Sequence, residues 1–485
     1  MNETVSGRDT RIAVLLAVAA AAVFAATLQA RLMSDGIWIV DFLHAPHHDR
    51  IPTHPLFWFV QWALAAVLPE VSVEALARAT SVASGGLATG LVYLACRGLG
   101  ATRAGAVGAA LLLVASPAAW FFATTIEYHA LQMAAAAVAL CVAVFAPWER
   151  RGLALSLSTL AFAPAFLSHQ VFALLGPGWV LLVAWLAARA GRPFGWRALV
   201  FGVGPLLLAG LLLPQYAVEL WNGGGGLEFD RETAILSAYT GKFAPGAMIW
   251  SGWLMRLALL VPVALLGWLG LRRERRLRTA LLVGVGFPWL VFITVYPLPE
   301  RGGFFLGSGV LWAASASFAR LTPATWFGAV LLQACLGWLS VREFDSAFDP
   351  AERAEQVRLA LPEGGVLASL EDLAPSITRQ VPEVTELDLV PLVRQALELG
   401  LSPELFATQL TGEWARGIEQ TPVAIDRSYR FWVDRSDVVF DQDSESIRLR
   451  HEAYVDALEA SCEERFDTVV FDHPSWPLLL LVPRS

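Results

Sequence analysis

The first 340 residues of this 485-residue chain are a succession of apolar runs, most of them close to 20 residues long, and no other feature constrains the fold as strongly. About 20 apolar residues are what an α-helix needs to cross a ~30 Å hydrocarbon core, where every backbone polar group must be satisfied within the segment. Runs of this kind lie near residues 12–33, 73–96, 104–123, 128–146, 152–168, 171–188, 197–216, 250–270, 279–297, 303–320 and 323–340, so eleven spans are predicted. The stretch 54–68, "HPLFWFVQWALAAVL", is apolar but short and stops at Pro69. It is read as a helix lying at or dipping into the interface. The first run follows Arg8 and Arg11, as a cleaved signal peptide would, but it exceeds the ~15-residue apolar core of such peptides.

Charge divides the chain at the same place. Residues 1–340 carry 22 basic and 15 acidic side chains, net +7, whereas 341–485 carry 13 and 28, net −15. The expected fold is therefore an α-helical polytopic membrane domain over 1–340 followed by an acidic, soluble α/β domain over 341–485. In the second region apolar stretches suited to strands ("GGVLASL", "VTELDL", "TVVF", "LLLLVP") alternate with helical ones ("PAERAEQVRLAL", "EDLAPSITRQ", "VPLVRQALELG"). No glycine-rich phosphate loop follows those strands. The acidic balance excludes nucleic acid as partner, since phosphate backbones need clustered Lys and Arg. The four cysteines are scattered and form no CxxC, so neither a disulfide framework nor a zinc site follows.

Short cytoplasmic loops collect Arg and Lys. With the N-terminus inside, eleven spans put Arg8, Arg11, Arg97, Arg103, Arg150, Arg151, Arg189, Arg192, Arg197, the "LRRERRLR" cluster and Arg320 on the cytoplasmic side, 15 of the 22 basic residues. The tail then lies outside, as expected for a protein of the inner membrane. All six histidines of 1–340 fall on the outer side, as do most of its acids. Ionisable groups near a membrane are candidates for function. In the first outer loop Asp35 and Asp41 are candidate general bases, and His47, His48 and His54 are weak candidates for a divalent metal. The bland alternative is that such residues cap helices and hold interfacial water. Glu127 and His129 stand in a second outer turn, "ATTIEYHALQ", as acid, base or phosphate contact, or simply as a helix cap. His169 stands in a third, "LSHQVF", and Glu300 with Arg301 in a fifth, "YPLPERGGFF". Arg301 suits a phosphate through its planar donors, or an ion pair with Glu300.

Taken in order, "SDGIWIVD", "HPLF", "ARATSVASGGLATGLVYLACRGLG", "ASPAAWFFATTIEYHALQ", "FLSHQVFALLGPG", "YPLPERGGFFL" and "GGVLASLEDLAP" resemble the motifs of GT-C fold integral-membrane glycosyltransferases, on the bacterial branch similar to protein O-mannosyltransferases. The resemblance implies transfer of a sugar from a polyprenyl-phosphate carrier to a protein or lipid acceptor outside the cytoplasm. It implies Asp35 as the base, Glu127 and His129 in a second outer motif, and Arg301 near the carrier phosphate. The sequence departs from the pattern in two places. The acid usually found close behind the first is replaced by Ile37 and Trp38, with Asp41 next, and the usual double proline after His is reduced to His54-Pro55-Leu56. Either Asp35 or Asp41 therefore remains open as the base. The competing reading is a transporter or flippase of a small or lipid-linked substrate, which would place internal repeats and polar groups at mid-membrane.

Overall fold

The structure is a computed structural model, which describes residues 5–29, 36, 39–40, 43, 54–193, 195, 257–295, 303, 305–345, 350–369, 381–417, 421–427, 442–471 and 477–484. The chain divides into two compact units, Met1–Gln29 with Phe42–Arg342, and Ala30–Asp41 with Glu343–Ser485.

In the first unit the helices are α1 (Gly7–Ala26), α2 (Pro55–Val67), α3 (Val73–Leu99), α4 (Arg103–Val114), α5 (Pro117–Thr124), α6 (His129–Phe145), α7 (Arg151–Leu160) and α8 (Ala163–Ser168). A 3-10 turn over Gln170–Leu175 leads into α9 (Gly176–Arg189), and α10 (Leu260–Gly270), α11 (Arg275–Val295), α12 (Leu306–Ala316) and α13 (Pro323–Asp345) follow. Among the described residues four helices are long and apolar enough to cross a membrane: Gly7–Ala26, Val73–Leu99, Arg151–Ser168 and Pro323–Arg342. A fifth arises if α4 and α5, bent by 62° at their junction, count as one. The bend has a local cause. Pro117 lacks the N–H that would continue α4, and Ser116 starts a new helix by accepting the Ala119 N–H. Helix α2 has 13 residues, about 20 Å at 1.5 Å per residue, too short to span. The run 197–216 lies outside the described residues.

Helix α1 is packed into the bundle at backbone distance. A Cβ at Gly90 of α3 would stand 2.7 Å from the Ala13 carbonyl oxygen, and one at Gly86 equally close to that of Ala17. Small residues on both helices permit this approach, a common device where hydrophobicity cannot drive helices together in lipid. At the far end of α3 the buried carboxylate of Asp9 accepts from Arg97 Nε (3.2 Å), Arg103 Nε (2.9 Å) and the Tyr93 hydroxyl (2.9 Å). Ser6 and Asp9 also form a reciprocal cap at the start of α1. One carboxylate thus ties α1, α3 and α4 together.

The second unit contains α14 (Pro350–Ala360), β1 (Val366–Ser369), β2 (Thr385–Asp388), α15 (Leu389–Glu398), α16 (Pro403–Gly417), β3 (Val423–Asp426), α17 (Gln442–Arg465), β4 (Phe466–Phe471) and β5 (Leu478–Pro483). The strands form one sheet in the order β2-β1-β3-β5-β4, with β1 parallel to β2 and β3, and β5 antiparallel to β3 and β4. Because strand side chains alternate faces, Val423, Ile425, Leu479 and Leu481 pack with Ala407, Trp414, Leu458 and Cys462 of α16 and α17. Ala424 and Leu478 face the other way, onto Ala354, Val357 and Ala360 of α14. Arg353 of α14 is buried in this unit, with Nη2 2.8 Å and Nε 3.2 Å from Asp426 Oδ2. The same guanidinium lies 3.5 Å from Glu386 Oε1, which also accepts from the Ser369 hydroxyl at 2.7 Å.

Candidate functional site

Three separate loops of the first unit deliver their histidines to one place. His54 stands immediately before α2, His129 is the first residue of α6, and His169 follows α8. The His54 ring stacks on Tyr128 at 3.7 Å between centroids and lies 4.5 Å from His169. His129 stacks with His169 at 5.4 Å and meets Phe122 edge-on at 4.6 Å. His129 and His169 are buried, as is Glu127.

The hydrogen bonds orient this cluster. The Ser168 carbonyl lies 3.0 Å from His54 Nδ1; a carbonyl can only accept, so Nδ1 carries the proton and Nε2 of the neutral ring has the lone pair. His129 Nδ1 meets Gln132 Oε1 at 2.9 Å, one turn along α6. The Glu127 carboxylate accepts the Tyr128 N–H at 3.1 Å, and its main-chain carbonyl accepts from Ser81 of α3 at 3.3 Å. His54 holds a left-handed backbone conformation, φ 67° and ψ 55°, which few side chains other than Gly and Asn adopt without cost.

Gly303 also lies against the cluster. A Cβ there would fall 2.6 Å from His129 Cδ2 and 2.8 Å from its Nε2, so the absence of a side chain lets this backbone lie against the imidazole edge. Glu300 and Arg301, immediately before it in the chain, lie outside the described residues, as do Asp35, Asp41, His47 and His48. Of the sequence candidates, the structure therefore brings together Glu127, His54, His129 and His169. Sequence reasoning missed Tyr128, Phe122, Gln132 and Gly303. Among the described residues no group of three or more His, Cys, Asp or Glu is arranged to hold a metal.

This centre and the Asp9 cluster meet α3 at two separate points. Ser81 marks one and Arg97 the other, 16 residues or roughly 24 Å apart along the helix. That is close to the thickness of a hydrocarbon core. The imidazole centre meets α3 at the first of these points, and the Asp9 carboxylate with Arg97 and Arg103 at the second.

The helical unit with its polar centre at one end of the bundle has the GT-C fold of integral-membrane glycosyltransferases, as comparison with solved structures shows. The chain is similar to ArnT from Cupriavidus metallidurans bound to undecaprenyl phosphate, with a TM-score of 0.60 at 15% identity over 96% of this chain and 97% of that one. The same enzyme in the apo state matches with a TM-score of 0.58 over the same shares. No protein-family model matches the sequence, and no curated protein does.

Proposed function

We propose that this protein is an integral-membrane glycosyltransferase that takes a sugar from a polyprenyl-phosphate carrier and delivers it to a protein or lipid acceptor on the extracytoplasmic side. The observation that supports this most is the fold shared with ArnT along nearly the whole chain, with a buried Glu-His centre at one end of the helices. An amphipathic donor asks for both properties. Its isoprenoid requires apolar helices, and its phosphosugar requires a polar site at their ends.

In this reading the N-terminus and the Arg97–Arg103 end face the cytoplasm, while the imidazole centre and the acidic unit 341–485 face outward. The acceptor hydroxyl gives its proton to Asp35 or Asp41 while its oxygen forms a bond to the anomeric carbon, and the carbon–phosphate oxygen bond breaks. The electron pair leaves with the polyprenyl phosphate, whose charge Arg301 balances. Glu127 is a further catalytic acid or base, and His54, His129, His169 and Glu300 line the substrate-binding region. A divalent metal ion held by His47 and His48 is a weaker supplement to Arg301. The O-mannosyltransferase-like branch is the finer assignment suggested by the sequence motifs.

The test is transfer in proteoliposomes supplied with radiolabelled polyprenyl-phosphate sugars and a crude acceptor fraction. Wild-type protein is expected to yield labelled acceptor, and the Asp35→Asn/Asp41→Asn double variant to lose at least a hundredfold in rate. Transfer that survives the double variant would sink the assignment of the base. Substrate counterflow with no covalent product would instead support a transporter.

A further inference from the structure

Apart from its first residue, His129, and one cysteine, helix α6 carries a single polar side chain, Gln132, among Ala, Leu, Met, Val and Phe. Gln132 and His129 are both buried. Residues three apart share a helix face, and Gln132 Oε1 lies 2.9 Å from His129 Nδ1. An amide oxygen has no proton to give, so Nδ1 is the donor, and in the neutral ring the lone pair is left on Nε2. The other end of the amide makes no comparable bond. Gln132 Nε2 is buried and, among the described residues, has no hydrogen-bond partner. A buried donor in that state loses its hydrogen bonds to water without replacement, and Leu or Met would suit so apolar a helix better. What the amide supplies is its one bond to His129, which a water molecule on Nε2 would leave as it is.

The tautomer decides what the far edge of the ring can do. A neutral imidazole protonated at Nε2 donates there, whereas one protonated at Nδ1 accepts there. The Nε2 edge is the one that Gly303 meets without a side chain, since a Cβ would fall 2.8 Å from that nitrogen. His54 has the same arrangement, its Nδ1 proton going to the Ser168 carbonyl at 3.0 Å. Two of the three imidazoles are thus held in one form, His54 by a main-chain carbonyl and His129 by a side chain. Only the second of these acceptors can be removed by substitution.

We propose that Gln132 is a positioning residue for the transfer reaction: it holds His129 in the Nδ1-protonated form, so that Nε2 accepts a hydrogen bond from a substrate hydroxyl. Gln132 acts through the ring and not on the substrate. This role rests on the transferase reading, and it replaces the phosphate contact considered for His129 from the sequence, because a lone pair at Nε2 suits a hydroxyl donor and repels a phosphate oxygen.

Solid-state nitrogen NMR of the full chain, isotopically labelled at histidine and reconstituted in lipid, reads the tautomer directly; the His129 signals are those lost in His129→Asn. The wild type is expected to show Nδ1 protonated and Nε2 unprotonated. Gln132→Glu should keep that pattern, because either form of the carboxyl group offers Nδ1 an oxygen, whereas Gln132→Met should lose it. In the proteoliposome assay Gln132→Met should lower kcat/KM about tenfold, roughly the worth of one hydrogen bond, while Gln132→Glu stays within about threefold of the wild type. A role confined to holding the helix together would move neither the ring's protonation pattern nor the contrast between Met and Glu. A wild-type ring protonated at Nε2, or at both nitrogens, overturns the proposal from the spectrum alone. So does a Gln132→Met spectrum identical to that of the wild type, and so does equal transfer by Gln132→Met and an active wild type. A wild type that transfers no sugar refutes instead the transferase reading, and with it the role that rests on it.

Discussion

The buried Arg353–Asp426 pair gives a stability prediction that can be worked from its geometry. Removing one partner of a buried ion pair strands the other and costs about 3–5 kcal/mol. In Asp426→Asn the Arg353 guanidinium loses its contacts at 2.8 and 3.2 Å but keeps Glu386 at 3.5 Å. The cost should therefore fall near the lower end of that range, about 3 kcal/mol. Arg353→Met is worse, because it leaves Asp426 and Glu386 as two carboxylates in one buried site with no cation between them; about 5 kcal/mol is expected. The double variant Arg353→Met/Asp426→Leu should cost clearly less than the two single changes added together, since residues in contact do not behave independently. The assay is hydrogen exchange of the β1 and β3 amides in the detergent-solubilised full chain. A loss of about 3 kcal/mol lowers protection by roughly two orders of magnitude. Protection that drops less than threefold in Asp426→Asn, or costs that simply add in the double variant, would refute the argument that burial makes this pair matter.

Three further outcomes are expected. Gly303→Ala should lower sugar transfer at least tenfold while leaving the melting temperature within a few degrees of wild type, because the new methyl group would meet a His129 ring already packed by Phe122, Tyr128 and His169; unchanged transfer would mean the imidazole edge is not used. Gly90→Leu should separate α1 from α3 and make the α1–α3 loop region more sensitive to limited proteolysis, whereas an unaltered digestion pattern would contradict the backbone contact at Ala13. Burial, reinforced by Glu459 and Glu463, pushes the Cys462 thiol up to about 12. The folded state therefore holds its proton where the unfolded thiol, near 9.0, has lost it, so stability should fall as pH rises from about 9 to 12. Cys462→Ala should flatten that part of the pH–stability curve; an identical slope in the variant would contradict the assignment.

How much of this was legible in the sequence depended on the range of the interactions involved. Helices α1, α3 and α13 announce themselves as unbroken apolar runs, and the short α2 was recognisable from its bounds at Pro55 and Pro69. The run 104–123 reads as one span by hydropathy, yet Ser116-Pro117 divides it; the punctuation was present in "ASPAAW" but hydropathy averages over it. In the second unit, β1, β2, β4 and β5 fall on apolar strand-like stretches, whereas β3 is only four residues, "VAID", and earns its place by pairing with β1 and β5. Local pattern carries no trace of such partners. Glu127, His54, His129 and His169 could be singled out by chemistry and by side, since ionisable groups are scarce in an apolar chain. Their convergence could not, because it joins histidines 40 to 115 positions apart. Gly303 looks like any loop glycine until His129 is placed beside it. Asp9 reads as an ordinary first-turn acid until Arg97 and Arg103 close over it.

The left-handed backbone at His54 sets stability against the chemistry of the site. A non-glycine residue in that conformation costs of order 1–3 kcal/mol, and His54 carries the cost directly ahead of Pro55, with its ring stacked on Tyr128. Glycine at this position would relax the main chain and delete the ring in one step. His54→Gly should accordingly give a protein whose backbone is under less tension but whose imidazole centre has lost one wall. The difference between its melting temperature and its transfer rate then measures, at a single residue, what the fold gives up to keep that ring in place.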